Sequence, residues 1–174
     1  MSVLFLGIFM KIFKPDFYLK NIFSLTPEFC KNNGIKALLL DADNTLCIYH
    51  TNYPVDGVLE WINKMQKADI KLYILSNSKP ERLKIFAKNV NLPYFYMSLK
   101  PLPFKTLKAV KALGFDKQDV ALVGDQLFTD VLGGKFAGIK TIWLDFIREE
   151  ESKFFKFKRK IEKRIKKNLK RSDV

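Results

Sequence analysis

The middle of the chain alternates between two hydrophobic rhythms. Ile35 to Leu40 is a short, mostly apolar run that follows Asn33-Gly34 and stops on Asp41, the pattern of a buried strand. Similar runs predict strands over Lys71–Leu75, Tyr94–Ser98, Asp119–Val123 and Ile139–Leu144. Between them the apolar spacing changes to three and four. Positions 55, 58, 59, 62 and 65 predict a helix from Val55 to Lys67. A second helix runs from Glu81 to Asn89 behind Pro80 at its first turn. Pro103–Leu113, closed by Gly114, and Phe128–Ala137, closed by Gly138, give two more. Strands that alternate with helices at this spacing imply an α/β fold: a parallel sheet of about five strands between two helical layers.

That architecture says where chemistry belongs. Open parallel sheets bind ligands beyond the carboxyl ends of their strands, near a topological switch point. Asp41, Asp43, Ser76, Lys100 and Asp125 all fall at or just after a predicted strand end. Five segments therefore deliver polar groups to one edge.

Composition narrows the choice of function. A chain of 174 residues, 48% hydrophobic, suffices for one domain with a real core. The formal charge of +13 is concentrated: residues 153–174 hold eleven Lys or Arg against Glu162 and Asp173, or +9 of the total. The basic excess is thus a property of the tail, and the body is ordinary. Cys30 and Cys47, outside any CxxC pair, give neither a disulfide framework nor a thiolate metal site. A single histidine, His50, cannot build a His-rich centre. The apolar start, residues 1–13, is too short to span a bilayer and lacks a leader's basic flank and cleavage site. It reads as a core element, a partner patch or an interfacial anchor, and the protein as cytoplasmic. The expected organisation is the apolar segment 1–13, a catalytic domain over 14–148 and a basic amphipathic helix over 149–174.

The candidate chemistry sits in four motifs. Asp41-Ala42-Asp43-Asn44-Thr45 places two carboxylates so close that their repulsion calls for a divalent cation, and oxygen-only ligands favour Mg²⁺. One carboxylate can attack phosphorus; the other can protonate the leaving oxygen and later activate water. Ser76-Asn77 offers a hydroxyl to a phosphoryl oxygen, or simply caps a helix. Lys100-Pro101 brings a cation to a strand end, with Lys105 as the fallback. Gly124-Asp125-Gln126-Leu127-Phe128-Thr129-Asp130 adds a hard oxygen ligand at Asp125, with Asp130 to orient water or cap the next helix.

In this order, these motifs resemble motifs I to IV of the haloacid-dehalogenase superfamily of phosphatases. Lys14-Pro15-Asp16, the Asp-x-Asp-Asn-Thr-Leu form of motif I and the Gly-Asp-Gln-Leu-Phe-Thr-Asp-Val form of motif IV resemble the YqeG-type class IIIA branch. The resemblance runs from about Lys14 to about Asp145. It implies a three-layer Rossmann-like fold and a Mg²⁺-dependent phosphomonoesterase. Asp41 would be the nucleophile and a metal ligand. Asp43 would be the acid/base, binding metal through its backbone carbonyl. Ser76, Asn77 and Lys100 would bind the phosphoryl group. Asp125 would be the third metal ligand, supported by Asp130.

The segments between motifs leave no room for an inserted cap, so the site should be open. The resemblance to phosphatidylglycerophosphate phosphatases implies a lipid phosphate substrate. The tail adds to that: Phe154, Phe157, Ile161, Ile165 and Leu169 recur at helical spacing among lysines and arginines, a basic amphipathic helix suited to an anionic membrane surface. The expectation is peripheral attachment at the inner membrane face. A solvated or packed helix is the bland alternative, and nucleic-acid binding ranks below both. Rival functions are a soluble phosphatase for nucleotide or sugar phosphates and, further off, a receiver-like domain carrying a phospho-Asp.

Overall fold

The computed structural model describes residues 12–149 and 152–172. One sheet holds six parallel strands: β1 (Phe17–Leu19), β2 (Ala37–Leu40), β3 (Lys71–Leu75), β4 (Tyr94–Phe95), β5 (Val120–Gly124) and β6 (Lys140–Leu144). Their order is β1-β6-β5-β2-β3-β4. The helices are α1 (Pro27–Asn32), α2 (Val58–Lys67), α3 (Pro80–Val90), α4 (Pro103–Leu113), α5 (Leu132–Ala137) and α6 (Lys153–Lys166).

Alternate residues of each strand feed opposite cores, which is why the strands read as continuous apolar runs. Leu38, Leu40, Leu72, Ile74, Ala121 and Val123 pack under α2 and α3. Leu39, Leu75, Val120 and Leu122 pack under α4, with Ala109 and Val110, and near Ala137 of α5. The three-layer α/β expectation holds, with one strand more than the five the pattern gave. β1 is only three residues long, too short for any periodicity to show. It pairs Phe17 with Ile142 and Leu19 with Leu144. Asp16, just before it, accepts hydrogen bonds from the Thr141 backbone N–H and hydroxyl, both at 2.8 Å.

Several boundaries also move, β2 beginning at Ala37 rather than Ile35 among them. α2 begins at Val58 rather than Val55, because Gly57 holds φ at +85° in the left-handed region and the helix starts behind it. β4 stops at Phe95 because it pairs only with Ile74 and Leu75 at the end of β3. The predicted helix over Phe128–Ala137 is instead a π-type turn, Leu127–Val131, that runs into α5. Such turns widen the helix locally and often sit at functional sites.

Successive strands run outward from β2 to β3 and β4, then return to the other side of β2 at β5. The switch point lies between β2 and β5, where Leu40 faces Val123 in the register. No domain is inserted between Thr45 and α2 or between α3 and α4, where turns and β4 suffice, so the site edge carries no cap there.

The tail forms α6, packed against the rest of the molecule. Arg159 and Glu162 are its buried residues, and Ile165 and Leu169 join Tyr18, Leu127, Val131 and Trp143. Phe154 and Phe157 are 66% and 64% exposed, and in the N-terminal half of α6 it is Phe155, Arg159 and Glu162 that face the rest of the molecule. Of the apolar start, residues 1–11 lie outside the described residues; Phe13 meets Phe128 edge-on at 5.7 Å. Among the described residues no helix is long and apolar enough to cross a membrane.

Candidate active site

β2 ends by fixing Asp41: its N–H donates to the Val123 carbonyl at 2.9 Å, one residue past the strand. The chain then curls. Leu46 and Cys47 N–H groups both donate back to the Ala42 carbonyl, and Asn44 takes a left-handed φ of 58°. This curl buries Asp41, Asp43, Asn44 and Thr45 together.

The loop after β4 brings in the cation. Lys100 Nζ lies 2.8 Å from Asp41 Oδ1 and 2.7 Å from Asp130 Oδ1, and donates to the Leu75 carbonyl at 2.7 Å. Asn77 braces that loop. Its Oδ1 accepts from Ser98 Oγ at 2.7 Å and from the Lys100 N–H at 2.9 Å, while its Nδ2 donates to the Lys100 carbonyl. The Asn77 amide thus spends its polar atoms on delivering Lys100. Ser76 is buried at the end of β3, with its hydroxyl against Ser78 Oγ at 3.2 Å. Lys105, the fallback cation, instead donates to the Tyr96 carbonyl at 2.8 Å, exposed and away from the carboxylates.

Asp41, Asp125 and Asp130 each offer a carboxylate oxygen within 4.8 Å of the others. The sequence put Asp41, Asp125 and, through its backbone carbonyl, Asp43 in the metal set with Asp130 in support. Here Asp130 completes the carboxylate cluster, and the Asp43 carboxylate, expected as the acid/base, has its own partners. The His50 N–H donates to Asp43 Oδ1 at 2.9 Å, Ser78 Oγ donates to Oδ2 at 2.7 Å, and the Arg82 guanidinium closes on that same oxygen. Gly124 makes room for Asp130, since a Cβ there would overlap the Asp130 carboxylate.

Electrostatics follow from burial. Desolvation pushes the Asp41 carboxyl up to about 7, against the pull of Lys100, with Asp130 and Asp43 adding to the rise. Burial raises Asp125 well above the usual range even though Arg159 pulls it down. Burial would lower Lys100, but Asp130 and Asp41 outweigh it and hold the ammonium charged. The three clustered carboxylates of Asp41, Asp125 and Asp130 are contacted by two cations, Lys100 and Arg159, so the cluster keeps a negative charge when all are ionised. Asp125 Oδ1 is buried with no hydrogen-bond partner among the described residues. An oxygen-only cluster, surplus negative charge and an orphaned carboxylate oxygen fit a hard cation such as Mg²⁺.

Sequence reasoning found Lys100 but missed Arg82 and Arg159, basic residues on helices with no local motif to mark them. The cleft above the cluster, about 480 Å³, includes Tyr49, Arg82, Phe155 and Lys158 in its lining. Phe155 meets Tyr49 edge-on at 5.6 Å, so α6 forms one wall of the cleft.

Comparison with known proteins agrees with this geometry. A family model described as "haloacid dehalogenase-like hydrolase" matches residues 10–138. The "Probable phosphatase YqeG" of Bacillus subtilis is 36% identical over 161 residues, covering 92% of this chain and 94% of that protein. A "Glyceraldehyde 3-phosphate phosphatase" of Pyrococcus abyssi is 29% identical over 64% of this chain, which spans 50% of that longer protein. Among solved structures, an uncharacterized protein from Listeria monocytogenes serotype 4b superposes with a TM-score of 0.55 at 20% identity, over 68% of this chain and 85% of that one, a likeness of fold.

Proposed function

We propose that this chain, which belongs to the haloacid dehalogenase-like hydrolase family and to its phosphatases, hydrolyses phosphate monoesters through an acyl phosphate on Asp41. The observation that carries this reading is the contact of Lys100 with both Asp41 and Asp130 beneath an open cleft. An Asp41 oxygen bonds to phosphorus as the ester P–O bond breaks, and Asp43 gives the leaving oxygen its proton. Asp43 then takes a proton from the water that attacks the acyl phosphate, freeing inorganic phosphate and Asp41. Ser76 and Lys100 bind the phosphoryl oxygens, and Asn77 keeps Lys100 in place. Asp41, Asp125 and Asp130, with the Asp43 carbonyl, would hold Mg²⁺, whose charge offsets that of the phosphoryl group.

The substrate we favour is a lipid phosphate, phosphatidylglycerophosphate, met at an anionic membrane surface. Support comes from α6. Phe155 and Lys158 line the cleft, while Phe154 and Phe157 are exposed on the same helix among Lys153, Lys156, Lys160 and Lys163. An apolar and basic helix face beside the cleft suits peripheral binding to anionic lipid. The similarity to a glyceraldehyde 3-phosphate phosphatase favours the second reading, a small soluble phosphate ester. The deciding measurement is phosphate release from phosphatidylglycerophosphate in vesicles beside a panel of soluble monophosphates, with Asp41→Asn as control. Higher kcat/KM on soluble esters sinks the lipid reading. Wild-type rates in Asp41→Asn sink the mechanism itself.

A further inference from the structure

We infer that Arg159, on the C-terminal helix, is a positioning residue that sets Asp125 for metal binding, so that α6 is part of the active site. This rests on the divalent-cation reading above. Arg159 grips Asp125 twice. Its guanidinium pairs with Asp125 Oδ2, and its Nη1 donates to the Asp125 backbone carbonyl at 2.9 Å. The same carbonyl accepts from the Trp143 indole N–H at 2.8 Å, so the residue is fixed at backbone and side chain together. Oδ1 has no hydrogen-bond partner among the described residues, in a residue that forms the carboxylate cluster with Asp41 and Asp130. One oxygen is tied and the other is offered.

Arg159 is itself held. Glu162, one turn on, accepts from Arg159 Nη1 at 2.8 Å through Oε2 and from the Leu127 N–H at 2.8 Å through Oε1. The Phe146 ring lies 4.6 Å from the guanidinium. Both charged side chains are about as buried as the core, at 5% and 3% exposure. A helix that needed only anchoring would do so more cheaply with apolar residues, because buried ion pairs seldom stabilise a fold on balance. Groups that orient a metal ligand through its second oxygen set affinity instead, and their loss costs about 10–100-fold.

The test uses the full chain and Mg²⁺ alone, without phosphate, measured by calorimetry. Arg159→Met with Glu162→Gln removes one charge of each sign, so the net charge of the site is unchanged. Thermal melting should show a folded protein, and its Mg²⁺ dissociation constant should rise about 10–100-fold. Phosphatase activity should return towards wild type at high Mg²⁺. Arg159→Lys keeps the charge but not the two-pronged grip, and should show a smaller rise. Wild-type affinity in the folded double variant overturns the inference. If the double variant does not fold, Arg159→Lys decides by the same criterion. A wild-type chain that takes up no Mg²⁺ removes the cation reading instead, and the two failures are distinct.

Discussion

The Lys100 ammonium sits 2.8 Å from the Asp41 carboxylate, and both are buried at the carboxyl edge of the sheet. That single cation also serves Asp130, so two carboxylates share one positive charge. Such a site stores repulsion that the fold must offset elsewhere, a common trade between stability and activity.

Asp41→Asn releases part of that repulsion. Burial already pushes the Asp41 carboxyl up to about 7, so a neutral isostere costs less to bury. Turnover should fall by at least about 10³-fold, as for loss of a nucleophile. In the absence of metal the melting temperature should equal or exceed that of wild type. A clear drop in melting temperature would show that the Asp41 charge stabilises the fold and that the stored repulsion is absent.

Arg82 is the basic side chain that pairs with Asp43. Its guanidinium reaches Asp43 Oδ2, Ser78 Oγ at 2.8 Å and the Thr51 carbonyl. Arg82→Ala frees the Asp43 carboxylate to rotate, which should lower kcat by roughly 10–100-fold while KM changes little, the mark of a lost catalytic orientation. Arg82→Lys should recover part of the rate. A rise in KM with kcat intact would instead assign Arg82 to substrate binding.

Asp41, Ser76, Lys100 and Asp125 were readable in the sequence for a physical reason. Asp41 and Asp125 each follow a strand buried along its whole length, so the switch from apolar run to polar residue is abrupt, while Ser76 follows the buried end of β3 and Lys100 the loop after β4. Arg82 and Arg159 have no such frame. On a helix, a basic residue looks the same whether it meets water or a buried carboxylate. The packing of the tail was hidden for a related reason. Ile165 and Leu169 join the buried cluster while Phe154 and Phe157 stay exposed, and the helix is oriented by the Arg159–Glu162 pair, whose burial depends on distant partners at Asp125 and Leu127. β1 escaped because three residues carry no period; its position comes from Asp16 and from β6.

Gly124→Ala separates packing from chemistry at the switch point. The added Cβ would overlap the Asp130 carboxylate, whose Oδ2 accepts from the Gln126 N–H at 3.0 Å. The Asp130 side chain must move, and with it a member of the metal cluster and a partner of Lys100. Overpacking of this kind costs about 1–3 kcal/mol, and activity should fall well beyond what that loss of folded protein explains. If Gly124→Ala keeps wild-type Mg²⁺ affinity and activity, Asp130 is not needed where it stands.

Asp145 ties the C-terminal segment to the sheet, and its titration should release it in acid. Tyr18 donates to Asp145 at 2.7 Å, and Lys166 and Arg171 each approach within 2.6 Å. Burial pushes the Asp145 carboxyl up, but hydrogen bonds from Lys166, Tyr18 and Arg171 outweigh that and hold it below its ordinary 3.8. The sign follows from the depressed value: the stabilisation is fully present above about 4 and is lost as pH falls through the lowered pKa. Protection against hydrogen exchange in α6, taken relative to the intrinsic rate at each pH, should therefore fall at acid pH before that in β2 and β5 does. Asp145→Asn should show the faster α6 exchange already at neutral pH, with a weaker dependence on acid. Equal protection of α6 in Asp145→Asn and wild type at neutral pH would mean that the packing of Ile165 and Leu169 alone holds the helix.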